Sequence, residues 1–169
     1  QLDPPTGTAQ GDEGRLFLAR VDRLIALGRL DDAESLLRAA GWKDRSRFQR
    51  RFDIALLRDE ADEVCHAIAE TPGLAPDLGA RIYCLARAGD WSAAALTLHG
   101  AQAGGLLPAQ LVALLERFLD DGSADLSADL PPPVQVTALE FRLFEAIGQP
   151  LATSDLDLGF AWSDLTGNA

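Results

Sequence analysis

Apolar residues recur along this chain at three- and four-residue spacing, and strict alternation of apolar with polar positions is rare. The first pattern lays an apolar stripe along one side of an α-helix, whereas the second is what a half-buried strand requires. β-branched residues are sparse, and the recurring Ala, Leu and Arg add helix propensity to the periodicity. The pattern predicts an all-α chain.

The stripes themselves repeat. Counting from Gly89, the spacing Gly-x-(Leu/Trp)-x-x-Ala-x-x-x-Leu-x-x-Ala is filled by Gly89, Trp91, Ala94, Leu98 and Ala101. Counting from Gly28, it is filled by Gly28, Leu30, Ala33, Leu37 and Ala40. Eleven, seven and four places before the two glycines stand Phe17, Val21 and Leu24 in one case and Leu78, Ile82 and Leu85 in the other. The glycines are about two units of some thirty residues apart, so a degenerate copy belongs between them. With its turn at Asp59, Phe48, Phe52 and Ala55 precede the turn, and Ala61, Val64 and Ile68 follow it. A fourth first helix carries Leu111, Leu115 and Phe118 at the same offsets before Gly122, and Pro108 suits its first turn.

On these residues the chain resembles the tetratricopeptide repeat family. Its two-helix unit has small residues where the helices approach closely and a larger apolar residue two places after the turn glycine. The resemblance covers roughly residues 14–122. The family's early tryptophan, second glycine and closing proline are not all present, and the units are shorter than its usual length of about 34 residues. Generic antiparallel helical hairpins are the plainer reading of the same pattern. The resemblance implies a right-handed stack of antiparallel helix pairs, a TPR-like α-solenoid in which each pair buries its face against the next. It also implies a groove, lined by the first helices, for an extended peptide or a partner protein. At the matching groove positions stand Arg15, Asp22, Gln49, Asp53, Tyr83, Arg87 and Glu116.

The organisation expected around the repeats has three further parts. Residues 1–13, with prolines, glycines and little that can pack, read as a disordered leader before the repeat domain of 14–122. Residues 123–136 repeat Ser-Ala-Asp-Leu and then give three prolines, which predicts a stiff, extended linker. In the C-terminal helical segment, 137–169, Thr137 is placed to cap a helix from about Ala138 to Ile147, with Gly148 ending it and Pro150 preventing its continuation. Phe160 and Trp162 have no apolar partner in their own segment, so they are expected to pack back on the repeats or onto sequence beyond Ala169. A chain that opens on Gln1 and contains no methionine is read as a processed product or a piece of a longer one.

Charge narrows the choice of partner. A formal net charge of −11 argues against nucleic acid or an anionic membrane surface as the main partner. Apolar runs such as 111–115 are far too short for membrane insertion. Asp31, Asp32 and Glu34, and then Asp59, Glu60, Asp62 and Glu63, cluster at helix starts, where the helix dipole favours them without any catalytic role. One basic run stands out: Arg47, Arg50, Arg51 and Arg58 share a stripe opposite Phe48 and Phe52. It reads as a solvated face paired with the acidic helix that follows, or alternatively as a contact for an acidic partner.

Candidate chemistry is thin. Cys65 and Cys84 fall on neighbouring antiparallel helices at levels that differ by about 3 Å, close enough for a disulfide if the side chains face each other. Two reduced, buried cysteines are the alternative. Cys84 has no histidine at helical spacing, and its apolar flanks argue against a nucleophile. His66 points away from the adjacent Cys65, so no zinc set converges there, and His99 reads as solvent-facing. Nothing in the sequence calls for a cofactor or metal. A disulfide would place the chain in an oxidising compartment, periplasmic or secreted. With paired cysteines, acidic charge and an arginine-dominated basic set, the chain resembles secreted helical-repeat proteins of alphaproteobacteria. The expectation is a non-enzymatic module that binds or scaffolds protein. The alternatives are the accessory helical region of a larger cell-wall enzyme of the lytic-transglycosylase kind and a cytoplasmic repeat adaptor.

Overall fold

The structure, a computed structural model, describes residues 10–120 and 128–162. Among them are eight α-helices and no strand: α1 (Gln10–Ala26), α2 (Leu30–Ala40), α3 (Arg45–Leu57), α4 (Asp62–Glu70), α5 (Leu78–Arg87), α6 (Trp91–Ala103), α7 (Ala109–Leu119) and α8 (Ala138–Ala146). Short 3₁₀ turns at Pro72–Leu74 and Leu158–Ala161 complete the described elements. The first helix begins at Gln10, inside the span read as a leader. The turn position Gly122 and most of the Ser-Ala-Asp-Leu repeats lie outside the described residues.

The repeat offsets reappear as burial. Seven places before each turn, Val21, Phe52, Ile82 and Leu115 are all buried, while the flanking positions are half-buried or buried. After the turns, Leu30, Ala33 and Leu37, then Ala61, Val64 and Ile68, then Ala94, Leu98 and Ala101 enter the same core. The turns are alike in their backbone. Gly28, Asp59 and Gly89 have φ of 72°, 58° and 82°, and each donates its N–H to the carbonyl three residues back. The residue after each donates to the carbonyl five back: Arg29 to Leu24, Glu60 to Ala55 and Asp90 to Leu85. This pair of bonds satisfies the last carbonyls of α1, α3 and α5 and turns the chain back on itself.

Helix starts follow their caps. Asp44, Asp77 and Asp90 accept the N–H groups of Arg47, Ala80 and Ala93, and Thr137 with Glu140 forms a reciprocal capping box at the head of α8. The arginines of α3 do not form the solvated stripe their spacing suggested. Arg50 reaches back to Asp22 of α1, and Arg58 reaches back to Asp31 and Glu34 of α2. Arg51, only 7% exposed, pairs forward with Glu63 and lies 4.0 Å from the centre of the Trp42 ring. The residues of this stripe therefore serve as ties among α1, α2, α3 and α4, and the plainer reading of them needed only the wider set of partners.

The C-terminal segment is part of the core. Helix α8 packs against α3 and α7. Leu139 comes close enough to α5 that a Cβ added at Gly79 would sit 3.2 Å from its Cδ2. Arg142, 8% exposed, donates from Nε and Nη2 to the carbonyls of Leu56 and Leu57 at the end of α3 (2.5 and 3.0 Å) and pairs with Glu145. Past α8, Phe160 meets Phe141 edge-on at 5.2 Å, and the Arg58 guanidinium lies 5.2 Å over the buried Trp162 ring. The turn at Leu158–Ala161 rests on the end of α1, so close at Gly159 that an added Cβ would lie 2.5 Å from the Ile25 carbonyl oxygen. Trp162 thus packs back on the repeat span, whereas Phe160 finds its ring partner in its own segment, on α8. The described part of the linker, 128–136, is also tied down: Arg117 donates to the Ala128 carbonyl, Gln110 to that of Pro131, and the Leu130 N–H to Gln149.

Candidate functional site

Cys65 and Cys84 form a disulfide, with their Cα atoms 5.0 Å apart, joining the second helix of one hairpin to the first helix of the next. The helices flank the 3₁₀ turn, α4 stopping at Glu70 and α5 starting at Leu78. Beside the bridge lies a groove of ≈420 Å³, lined by Ile68, Ala69, Leu85 and Ala88 along with His66 and Arg81. His66 is exposed and faces Glu70 at 3.4 Å. Among the described residues no group of three or more histidine, cysteine, aspartate or glutamate side chains is arranged to hold a metal. No described helix is long and apolar enough to cross a membrane.

The seven groove candidates separate into two groups and three scattered positions. Tyr83 and Arg87 belong together, one helical turn apart on α5: Arg87 Nη1 lies 3.4 Å from the Tyr83 hydroxyl, and its guanidinium lies 5.8 Å from the ring centre. Arg87 also holds Asp62 at 2.6 Å, and that hydrogen bond raises its pKa. Burial pushes the Tyr83 phenol up, while Arg87 draws it down. Asp22 and Asp53 meet at Arg50. Asp22 accepts two hydrogen bonds from it, each 2.9 Å, and this bonding raises the arginine's pKa. Asp53 is half-buried, and the loss of hydration pushes its carboxyl up to about 7. Arg50 pulls it down; Asp22 and Asp77 add repulsion. Gln49 and Glu116 are exposed and so is Arg15, at the other end of the fold in α1.

Tyr83 lies at the centre of a constellation that sequence reasoning only partly anticipated. Its ring stacks on Phe118 of α7 at 5.9 Å, and Phe118 in turn faces Trp91 of α6 at 6.2 Å. Beside this row is a cleft of ≈160 Å³ lined by Asp59, Tyr83, Arg87, Phe118, Arg142 and Glu145. Asp59 also lines a neighbouring charged cleft of ≈370 Å³ that holds Arg51 and Arg58. Phe118 and Asp59 were legible as repeat positions, yet nothing in their own segments showed that they would meet. Arg142 carries a signal of its own, a lone cation in the segment "ALEFRLFEA". A buried charge there needs an acceptor, and two helix-end carbonyls supply it.

The arrangement can hold and orient a side chain. No family model matches the chain, and comparison with curated proteins and with solved structures finds none similar to it.

Proposed function

We propose that this chain is a TPR-like helical-repeat module, a short solenoid of helix pairs that binds or scaffolds another protein without catalysing a reaction, and that it works in the periplasm or outside the cell. The observation that carries the reading is the threefold return of one turn. Gly28, Asp59 and Gly89 share backbone geometry, hydrogen bonding and flanking buried positions at about thirty-residue intervals. Units of that kind bury their faces against one another and leave continuous surfaces for partners. The Cys65–Cys84 bridge between adjoining units supports an oxidising compartment. The surface open to a partner is the neighbourhood of Trp91 and Glu116, because α8 and the turn after it already lie against α1, α3, α5 and α7.

Site-specific photo-crosslinking tests this. A photoreactive phenylalanine placed in turn at Gln49, Trp91 and Glu116, with exposed Ser35 as the control, is irradiated in the producing cells, and the adducts are identified by mass. A defined protein adduct from at least one of the three positions, absent from Ser35, is the expected result. Adducts from none of the positions, or equally from all four, would overturn the reading. Acid quenching with thiol alkylation of the same cells tests the compartment. Oxidised cysteines are expected, and free thiols would move the protein to the cytoplasm.

A further inference from the structure

The position two places after each turn is buried in two hairpins and open in the third: Leu30 is 0% exposed, Ala61 1% and Trp91 51%. Trp91 therefore breaks the rule that its own repeat follows, and it does so at the end of the row Trp91–Phe118–Tyr83. Phe118 is only half-buried, so two neighbouring rings offer their surface to whatever lies beside them. At the other end of the row is the ≈160 Å³ cleft. That volume suits one side chain and falls well below the roughly 300 Å³ at which small-molecule sites begin.

The four charges that line the cleft, Asp59, Arg87, Arg142 and Glu145, sum to zero, but both arginines are already engaged. Arg87 is opposed by Asp62, and Arg142 by Glu145 and two helix-end carbonyls. The Asp59 side chain has no hydrogen bond or ion pair with the described residues, and it stands close enough to Tyr83 to raise that phenol's pKa. With Asp62 counted beside the cleft, one negative charge is left over next to an aromatic wall. The equivalent turns use glycine for the same left-handed backbone, so the carboxylate is not what the turn itself requires.

The geometry points to a receptor site for a cationic side chain, lysine or arginine, presented by a partner protein. The alkyl stem lies along Tyr83 and Phe118 toward Trp91, and the charged head meets Asp59. Aromatic faces attract cations, and lysine and arginine bury their stems while keeping the head at a polar group. The net charge of −11 draws a basic partner toward this surface from a distance. This site rests on the protein-binding reading and names the chemistry of the partner's anchor.

The test titrates the purified chain with acetyl-Gly-Lys-Gly-amide and with its norleucine counterpart, which has a stem of similar length and no charge. The indole N–H of Trp91 is followed by NMR, with Trp42 and Trp162 as internal references. A saturable shift at Trp91 is expected with the lysine peptide, about fivefold weaker with norleucine. Asp59→Asn should cost the lysine peptide a similar factor, and Asp59→Gly should do the same while leaving the fold more stable, an outcome that loss of structure cannot mimic. Equal binding of the two peptides, unchanged lysine binding by both Asp59 variants, or no saturable shift at Trp91 would each overturn the site. If the photo-crosslinks find a partner while the lysine peptide does not bind, the site falls and the protein-binding reading stands. If no position crosslinks, the reading itself falls.

Discussion

Asp59 has φ of 58° at a position where its two sister turns carry glycine. A Cβ in that region crowds the following carbonyl and costs about 1 kcal/mol, somewhat less for aspartate, whose short polar chain tolerates it. Asp59→Gly should therefore stabilise by about 0.5–1 kcal/mol, a rise of roughly 2–3 °C in the thermal midpoint, readable by circular dichroism. Asp53 makes a second residue-level prediction. Its carboxyl titrates near 7 in the folded chain and near 4 in the unfolded one, so between those values only the native state holds the proton. Stability should fall as pH rises through that window and stay lower above it. Asp53→Asn should flatten the profile between pH 5 and pH 8 and gain roughly 1–2 kcal/mol at pH 8, measured from urea midpoints. Both carboxylates were visible in the sequence, Asp53 as a groove position and Asp59 as a turn position among the helix-start acids. Their unusual states were not, because desolvation and left-handed backbone are set by neighbours and turns that only the folded chain brings together.

Helix ends were the most legible elements, since their signals are local. Thr137 caps α8 with Glu140 and Gly148 follows its last turn with φ of 79°, each where its residue type suggested, while Pro108 stands one place before the first turn of α7, at its N-cap. The partners of α8 were invisible for the opposite reason. Arg142 bonds to Leu56 and Leu57, some 85 residues earlier, and no periodicity within "ALEFRLFEA" encodes that distance. The same limit hid the tie from Arg50 to Asp22, where two residues offered separately, one as a groove position and one as part of a basic stripe, form a single bidentate pair. Arg142→Met keeps most of the packing volume and leaves the α3 carbonyls without their donor. It should destabilise by about 2–3 kcal/mol in chemical denaturation, while Arg142→Lys should recover part of the loss.

At the scale of the molecule, two of the links between units bear on how the whole chain unfolds. The disulfide closes the chain between Cys65 and Cys84, a sequence separation of 19, and its reduction should lower stability by about 3 kcal/mol without changing the helical signal of the native state. The other link is the seating of Gly159 on the Ile25 carbonyl. An array of repeats that touch only their neighbours behaves as a line, and heat or denaturant can peel it from either tip. Here the last described turn is held by the first helix, so among the described residues the order of contacts runs in a circle. Melting should then be all-or-none, with near-ultraviolet and far-ultraviolet signals superimposing. Gly159→Ala, which forces a methyl group onto that carbonyl, should cut the circle open, lowering the midpoint and letting the two signals separate as the chain comes apart from its ends.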